Sequence, residues 1–115
     1  MRKGKSLLKL VFVDDEKGLC QAYEDLYESS EMSVKAFFDV QKAKAYIDSN
    51  EVDLVFIDYR MPKISGPQFR KMLDTNLKCV MVTGEFVEDI EDGFVDLLRK
   101  PFEDDEFLAI VSKHT

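Results

Sequence analysis

The chain has 115 residues, which fits one domain with a single hydrophobic core. Hydrophobic residues make up 45% and charged residues 34%, a balance typical of soluble globular proteins. The formal net charge of −7 argues against nucleic acid as the main partner, because phosphate backbones are bound by clustered Lys and Arg.

The chain begins with a basic segment, Met1 to Ser6, and the apolar run after it is too short for a signal peptide or a membrane span. We therefore expect a protein that is neither secreted nor anchored in a membrane. No repeat or linker interrupts the sequence, so we expect one domain over residues 1–115 with its core at about 8–113. Cys20 and Cys79 do not have the spacing of metal ligands, and we expect both to be reduced and to face the core. Reduced cysteines are typical of a cytoplasmic protein, which is the location we expect.

Two strands and two helices are predicted in the first half of the chain. The apolar run from Leu7 to Val13 predicts a buried parallel strand that stops at two aspartates. A helix is predicted over Glu16 to Ser29, and Asp39 is expected to cap a second helix after a strand from Met32 to Phe38. The apolar face of the first helix comprises Leu19, Ala22, Tyr23, Leu26 and Tyr27.

The second half continues the alternation. Strands are predicted over Val52 to Ile57, Lys78 to Val82 and Phe94 to Leu98. Gly66-Pro67 is expected to open a helix, since proline suits a first helical turn, and a last helix is predicted over Glu103 to His114. The inward side chains of the helix after Gly66 are expected to be Phe69, Met72 and Leu73.

This alternation of strands and helices favours a parallel sheet covered by helices on both faces. In such a sheet all strands end at one edge, and ligands bind there, where the strand order reverses. Asp14 and Asp15 follow the first strand, Asp58 the third, Thr83 the fourth and Lys100 the fifth. With the order 2-1-3-4-5, the first and third strands are neighbours, and the three aspartates meet.

Three carboxylates at that distance repel one another unless a cation lies among them. Oxygen ligands in a shallow, wet site favour a hard ion, Mg²⁺ above all. With a lysine ammonium and a hydroxyl nearby, the set is suited to stabilising a phosphoryl group in transfer. Each residue alone has a plainer explanation, as a helix cap, a turn or a surface lysine, but their shared edge favours a functional site.

The sequence resembles the response regulator receiver family, whose single-domain members include the chemotaxis protein CheY. The resemblance extends from Lys9 to about Val111 and depends on four motifs. These are VFVDDE (Val11 to Glu16), FIDYRMPKISG (Phe56 to Gly66), MVTG (Met81 to Gly84) and LRKPF (Leu98 to Phe102). It implies a flavodoxin-like, doubly wound α/β fold with five parallel strands in the order 2-1-3-4-5.

The resemblance also implies the role of each site residue. Asp58 matches the aspartate that a histidine kinase or phosphotransfer protein phosphorylates in a Mg²⁺-dependent reaction. Asp14, Asp15, Asp58 and the backbone carbonyl of Arg60 match the metal ligands. Thr83 matches the hydroxyl that turns toward the phosphoryl group. Lys100 matches the lysine that pairs with a phosphoryl oxygen, and its bond to the following proline is expected to be cis.

Two departures from the family pattern affect the expected output. Lys100 is 17 positions after Thr83, fewer than is usual, so the fourth helix is expected to be shortened or replaced by a loop around Glu85 to Asp92. Leu97 stands where the family has a Tyr or Phe that moves with the threonine. The short segment is either a trimmed loop or part of a different output surface. The second alternative gives the hypothesis that phosphorylation alters the segment from Thr83 to Asp92 and not an aromatic rotamer.

Two charged residues are expected to modulate the site. Arg60 and Glu85 lie two residues after Asp58 and Thr83, where family side chains border the path of the attacking water. They form either a lid that slows hydrolysis or two unrelated surface charges.

Three functions are compatible with these residues. The first is a signalling domain, not an enzyme in its own right, that is read by an unknown downstream protein and acts on neither nucleic acid nor membrane. The second is an aspartyl-nucleophile phosphatase, although Asp58-Tyr59-Arg60 lacks the second acid that such enzymes carry. The third is a pseudo-receiver that only binds partners.

Overall fold

The computed structural model describes residues 7–115, so the predictions for the basic start of the chain lie outside the described residues. Five parallel strands form one sheet in the order β2-β1-β3-β4-β5. The predicted flavodoxin-like fold and strand order are confirmed. The strands are β1 (Leu8–Val13), β2 (Met32–Phe37), β3 (Leu54–Asp58), β4 (Cys79–Thr83) and β5 (Asp96–Arg99).

Four α-helices flank this sheet: α1 (Lys17–Tyr27), α2 (Val40–Ser49), α3 (Gly66–Arg70) and α4 (Asp104–His114). Asp39 caps α2 as predicted, because its side chain accepts hydrogen bonds from the N–H groups of Gln41 and Lys42 at 2.9 and 3.1 Å. No helix separates β4 from β5 in the described chain; residues 85–92, here the 85–92 loop, take its place. We expected the fourth helix to be shortened or replaced by a loop, and the structure shows that a loop replaces it.

The helices cover both faces of the sheet because the central strands are apolar on both sides. α1 and α4 cover one face, where the ring of Phe12 stacks on Phe56 with 4.7 Å between centroids and lies 5.7 Å from Phe107. The other face is covered by α2 and α3, which contribute Ala43, Ile47 and Phe69 to the second core cluster. Consecutive side chains of β1 therefore enter different core clusters.

Two predicted core positions are wrong. Leu26 on α1 is 66% exposed and Met72 is 45% exposed. Met72 was expected to continue the helix that Gly66 opens, but α3 ends at Arg70 and a turn follows. Leu73 is buried as predicted, at 5% exposure, so only Met72 of the second apolar turn misses the core.

Arg70, the last residue of α3, is buried and binds the chain that follows the helix. Its side chain is 6% exposed in a residue type that is seldom buried. Within residues 7–115, every hydrogen bond that its guanidinium donates goes to a backbone carbonyl. Three of these acceptors lie just beyond the helix, on Asp74, Thr75 and Leu77, at 3.0–3.3 Å. The fourth is the carbonyl of Gly93 at 2.6 Å, so Arg70 ties the chain after α3 to the end of the 85–92 loop.

Both cysteines are free and buried, as expected of reduced core residues. Burial raises the pKa of each thiol to about 11, so neither is ionised near neutral pH. Among residues 7–115 there is no helix that is both long and apolar enough to cross a membrane.

Candidate functional site

The site lies at the carboxyl edge of the sheet, where β1 and β3 are neighbours. Asp14 follows β1 directly and is 2% exposed, and Asp58, the last residue of β3, is 8% exposed. Asp15 is exposed. One carboxylate oxygen from each of the three lies within 4.8 Å of the others. The structure thus brings together the three aspartates that the sequence singled out.

Lys100 completes the charged part of the site. Its Nζ lies 3.0 Å from Asp14 Oδ2 and 3.1 Å from Asp58 Oδ1. The backbone N–H of Lys100 donates to the carbonyl of Thr83 at 2.7 Å, and its peptide bond to Pro101 is cis, as expected. The end of β5 therefore positions the Lys100 ammonium between the buried carboxylates of Asp14 and Asp58.

The electrostatics of Asp58 show that its negative charge is incompletely balanced. Burial, followed by the charge of Asp14, raises the pKa of Asp58 from an ordinary 3.8 to about 6, although Lys100 opposes this. Burial of the Lys100 ammonium acts to lower its pKa, but the contacts with Asp14 and Asp58 outweigh it and the pKa is raised. Lys100 thus stays protonated, and one ammonium does not compensate for three carboxylates.

Gly66 allows the start of α3 to lie against the end of β3. A Cβ at this position would come within 2.4 Å of the Asp58 carbonyl oxygen and 3.0 Å of the Tyr59 Cα, both backbone atoms. The N–H of Gly66 donates to the Tyr59 carbonyl at 2.8 Å. The glycine that ends the FIDYRMPKISG motif is therefore required by the close approach of two backbones beside the site.

Thr83 ends β4 and is 2% exposed. Its hydroxyl oxygen accepts a hydrogen bond from the N–H of Glu85 at 3.0 Å. Because Asp58 pairs with Val82 in the sheet register, Thr83 lies one position beyond the residue opposite Asp58. The structure thus places the threonine at the site edge with its hydroxyl engaged by the 85–92 loop.

Arg60 and Glu85 form an ion pair between the guanidinium Nε and the carboxylate Oε2. The two charges are therefore paired, and their role as a lid that slows hydrolysis stays a prediction. The role of the Arg60 carbonyl as a metal ligand stays a prediction. Leu97 packs against the second core cluster, and it offers no hydroxyl or ring at the position of the family's aromatic residue.

Three contacts of the 85–92 loop were not predicted from the sequence. The carboxylate of Glu91 interacts with the hydroxyl of Tyr59 and raises its pKa. The guanidinium of Arg99 lies 5.3 Å from the ring centroid of Phe86, and its Nη1 donates to the carbonyl of Glu85 at 3.2 Å. No periodicity or motif predicts these contacts, because the residues in each of them belong to irregular segments or to strand ends.

Comparison with known proteins agrees with this fold. The family model for the response regulator receiver domain matches residues 10–112. The chain belongs to the response regulator receiver family of two-component systems, whose members are signalling domains and not conventional enzymes.

Curated relatives extend this match to longer proteins. The chain is 30% identical to the transcriptional regulatory protein DltR of Streptococcus agalactiae over 116 residues, covering 94% of this chain and 52% of the relative. It is 32% identical to the regulatory protein VanRc of Enterococcus gallinarum over 110 residues, covering 90% of this chain and 48% of the relative. The chain thus spans about half the length of these relatives.

Solved structures show the same fold. The chemotaxis protein CheY4 of Vibrio cholerae has a TM-score of 0.85 at 20% identity, covering 96% of this chain and 100% of that one. The response regulator TrrA of Thermotoga maritima, solved in complex with Mg²⁺ and beryllofluoride, has a TM-score of 0.81 at 21% identity, covering 95% and 100%. At these identities the likeness concerns the fold.

Proposed function

We propose that this domain is a phosphoacceptor switch in which Asp58 receives a phosphoryl group from a histidine kinase or a phosphotransfer protein. The observation that carries the proposal is the position of Asp58, which shares an acidic cluster with Asp14 and Asp15 and lies 3.1 Å from the Lys100 ammonium. Such an arrangement supplies a nucleophile together with the charges that stabilise phosphoryl transfer.

In the transfer, a carboxylate oxygen of Asp58 attacks the phosphorus of the donor's phosphohistidine. The phosphorus–oxygen bond forms as the phosphorus–nitrogen bond breaks, and the electron pair returns to the imidazole nitrogen, which takes up a proton. The Lys100 ammonium neutralises charge that accumulates on the phosphoryl oxygens. The Thr83 hydroxyl donates to one of these oxygens after turning toward the site.

The acidic cluster fits a hard divalent cation. Three carboxylates and one ammonium leave two uncompensated negative charges, and all donor atoms are oxygens. The carboxylates of Asp14, Asp15 and Asp58, with the carbonyl of Arg60, are the proposed Mg²⁺ ligands. Bound magnesium supplies positive charge to the carboxylates and to the phosphoryl oxygens. TrrA, a protein of the same fold, was solved with Mg²⁺ and beryllofluoride, which supports this ligand chemistry.

The phosphorylated state ends by hydrolysis. Water attacks the phosphorus, the bond to Asp58 breaks, and inorganic phosphate leaves while the carboxylate is restored. The side chains of Arg60 and Glu85 modulate this step, since their ion pair joins the segments that follow Asp58 and Thr83. Until then, a downstream protein partner in the cytoplasm reads the phosphorylated surface.

Labelling with acetyl phosphate tests the proposal directly. Intact-mass measurement should show the addition of one phosphoryl group to the wild-type chain in Mg²⁺, and none after EDTA treatment. Asp58→Asn should abolish labelling, and the exposed substitution Asp48→Asn should not affect it. Labelling of Asp58→Asn at the wild-type rate would rule Asp58 out.

The same preparation separates the alternative functions. Turnover of a generic phosphate ester would identify an aspartyl-nucleophile phosphatase. Failure to bind beryllofluoride in Mg²⁺, together with no labelling, would identify a pseudo-receiver. We expect beryllofluoride binding and no ester turnover.

A further inference from the structure

β2 lies at one edge of the sheet, with β1 on its inner side. The N–H of Asp14, just after β1, donates to the carbonyl of Phe37. Because peptide groups alternate in direction along a strand, the odd-numbered residues of β2 turn theirs toward β1. The N–H groups of Met32, Val34 and Ala36 therefore point outward. Outward peptide groups on an edge strand are a template on which another strand can pair.

Two of these outward N–H groups donate to carboxylates at the end of α1. The N–H of Val34 donates to Glu28 Oε1 at 2.7 Å, and the N–H of Ala36 donates to Glu24 Oε2 at 2.8 Å. Glu24 and Glu28 are four residues apart, so both side chains leave the same side of the helical turn. We call this pair the edge-capping glutamates.

The connection between α1 and β2 occupies the third outward N–H group. The N–H of Met32 donates to the hydroxyl of Ser29 at 3.1 Å, and the carbonyl of Met32 accepts from the N–H of Ser29 at 3.0 Å. This tight turn holds the end of α1 against the start of β2. All three outward N–H groups of β2 thus donate to side-chain oxygens.

The bonds to the edge-capping glutamates are stronger than those that another strand would offer. Hydrogen bonds to an ionised acceptor are shorter than bonds between neutral peptide groups and about twice as strong. The distances of 2.7 and 2.8 Å lie in this short range. A strand that approached β2 would have to replace each carboxylate with a neutral peptide carbonyl. The edge of β2 is therefore closed to strand pairing while both carboxylates stay in place.

We propose that Glu24 and Glu28 keep the edge of β2 closed to a second copy of this chain, and that two copies pair through β2 when these carboxylates are displaced. The surface concerned lies at the opposite edge of the sheet from β5 and away from Asp58. The inference is therefore independent of the proposed function.

The sequence of β2 is compatible with pairing to itself. Two-fold symmetry places the β2 strands of two copies antiparallel. With Val34 on the symmetry axis, it exchanges both hydrogen bonds with its counterpart, and Lys35 lies opposite Ser33. If Val34 paired with Ala36 instead, the Lys35 side chains of both copies would lie opposite each other, which is unfavourable. The register centred on Val34 is therefore favoured, and it joins two five-stranded sheets into one.

Sedimentation velocity over a range of protein concentrations tests the closed edge. The double variant Glu24→Ala, Glu28→Ala should dimerise with a dissociation constant at least about 10-fold below that of Glu24→Gln, Glu28→Gln. The glutamine side chains keep an oxygen that accepts an N–H, whereas alanine offers none. Both double variants lose the same two charges, so a difference between them reports hydrogen bonding and not net charge. The wild type should be the most monomeric of the three.

Amide hydrogen exchange measured on the full chain assigns the effect to each residue. In the wild type the N–H groups of Val34 and Ala36 should be protected although they face outward. Glu28→Ala should remove the protection at Val34 alone, and Glu24→Ala should remove it at Ala36 alone. At concentrations at which the double alanine variant dimerises, the protection at Val34 should return.

Two results with the double alanine variant would overturn the proposal. One is a variant that is folded, as judged by circular dichroism, and stays monomeric at every concentration. The other is a dimer in which Val34 exchanges freely, because that dimer would use another surface. If the double variant does not fold, the wild type and the single variants decide. Free exchange at Val34 and Ala36 in the wild type then overturns the closed edge, and site-by-site loss in the single variants supports it.

Discussion

The ammonium nitrogen of Lys100 lies 3.1 Å from a carboxylate oxygen of Asp58. This contact joins the end of β5 to the end of β3 across β4, which lies between them in the sheet. The same ammonium lies 3.0 Å from Asp14, so one cation serves two buried carboxylates. Several properties of the site follow from this shared cation.

Lys100→Met should slow labelling of Asp58 by acetyl phosphate on the order of 100-fold, as when a preorganised charge donor is removed from a transfer site. The methionine fills a similar volume but leaves Asp14 and Asp58 without their shared cation. Intact-mass measurement over time gives the rate. Lys71→Met, which removes an exposed lysine, is the matched control and should label normally. A rate within twofold of the wild type would contradict a role for the ammonium.

Asp58→Asn should stabilise the protein above pH 6 in the absence of divalent cations. The pKa of Asp58 is raised in the folded state from 3.8 to about 6, so folding favours the protonated form. The contribution of the Asp58 carboxyl to the free energy of unfolding is therefore fully favourable below pH 4 and is lost as the pH rises through 6. The asparagine variant lacks this loss, which is at most about 3 kcal/mol.

Urea unfolding in EDTA between pH 4 and 8 measures this difference. The stability of the wild type relative to Asp58→Asn should fall over that range and then level off. Added Mg²⁺ should restore stability to the wild type more than to the variant. If the free energies of unfolding of the two proteins in EDTA changed in parallel with pH, burial would not raise the pKa of Asp58.

Much of the site was predictable because parallel strands end at one edge of a sheet. The apolar runs before Asp14, Asp58 and Thr83 give the strands, and topology then brings their ends together. The replaced helix was also predictable, from the short interval between Thr83 and Lys100. These features depend on local patterns and on the connectivity rules of α/β proteins.

The remaining features depend on contacts that no periodicity records. Met72 has helical spacing after Phe69, yet it is exposed because α3 ends at Arg70. The partners of Arg70 are carbonyls in irregular segments, and carbonyls exist at every residue, so the sequence does not reveal which ones it binds. The exposure of Leu26 could not be predicted either. Amphipathic spacing shows which face of a helix is apolar, but not how much of that face a neighbouring element covers.

Arg70→Met should destabilise the protein by about 3 kcal/mol, since four backbone carbonyls lose the hydrogen bonds that the buried guanidinium donates. Relief from burying the guanidinium offsets part of this cost. Urea unfolding at neutral pH gives the free energy of unfolding. Arg99→Met, at an exposed arginine, should change it by less than about 1 kcal/mol. Equal effects of the two substitutions would show that Arg70 does not hold the chain after α3.

Arg60→Ala should shorten the lifetime of the phosphoryl group on Asp58. The ion pair with Glu85 joins the segments that follow Asp58 and Thr83. Family side chains at these positions border the path of the attacking water, so we expect the pair to slow hydrolysis. An exposed pair contributes ~0–1 kcal/mol, so the lifetime should fall by at most about fivefold. Loss of the phosphoryl mass after removal of excess donor measures the lifetime, with Lys44→Ala as the control for an exposed pair elsewhere.

Glu85→Ala should shorten the lifetime as much as Arg60→Ala does, and the double variant should shorten it no further, because the same interaction is removed in all three. An unchanged lifetime in both single variants would show that the pair does not restrict water.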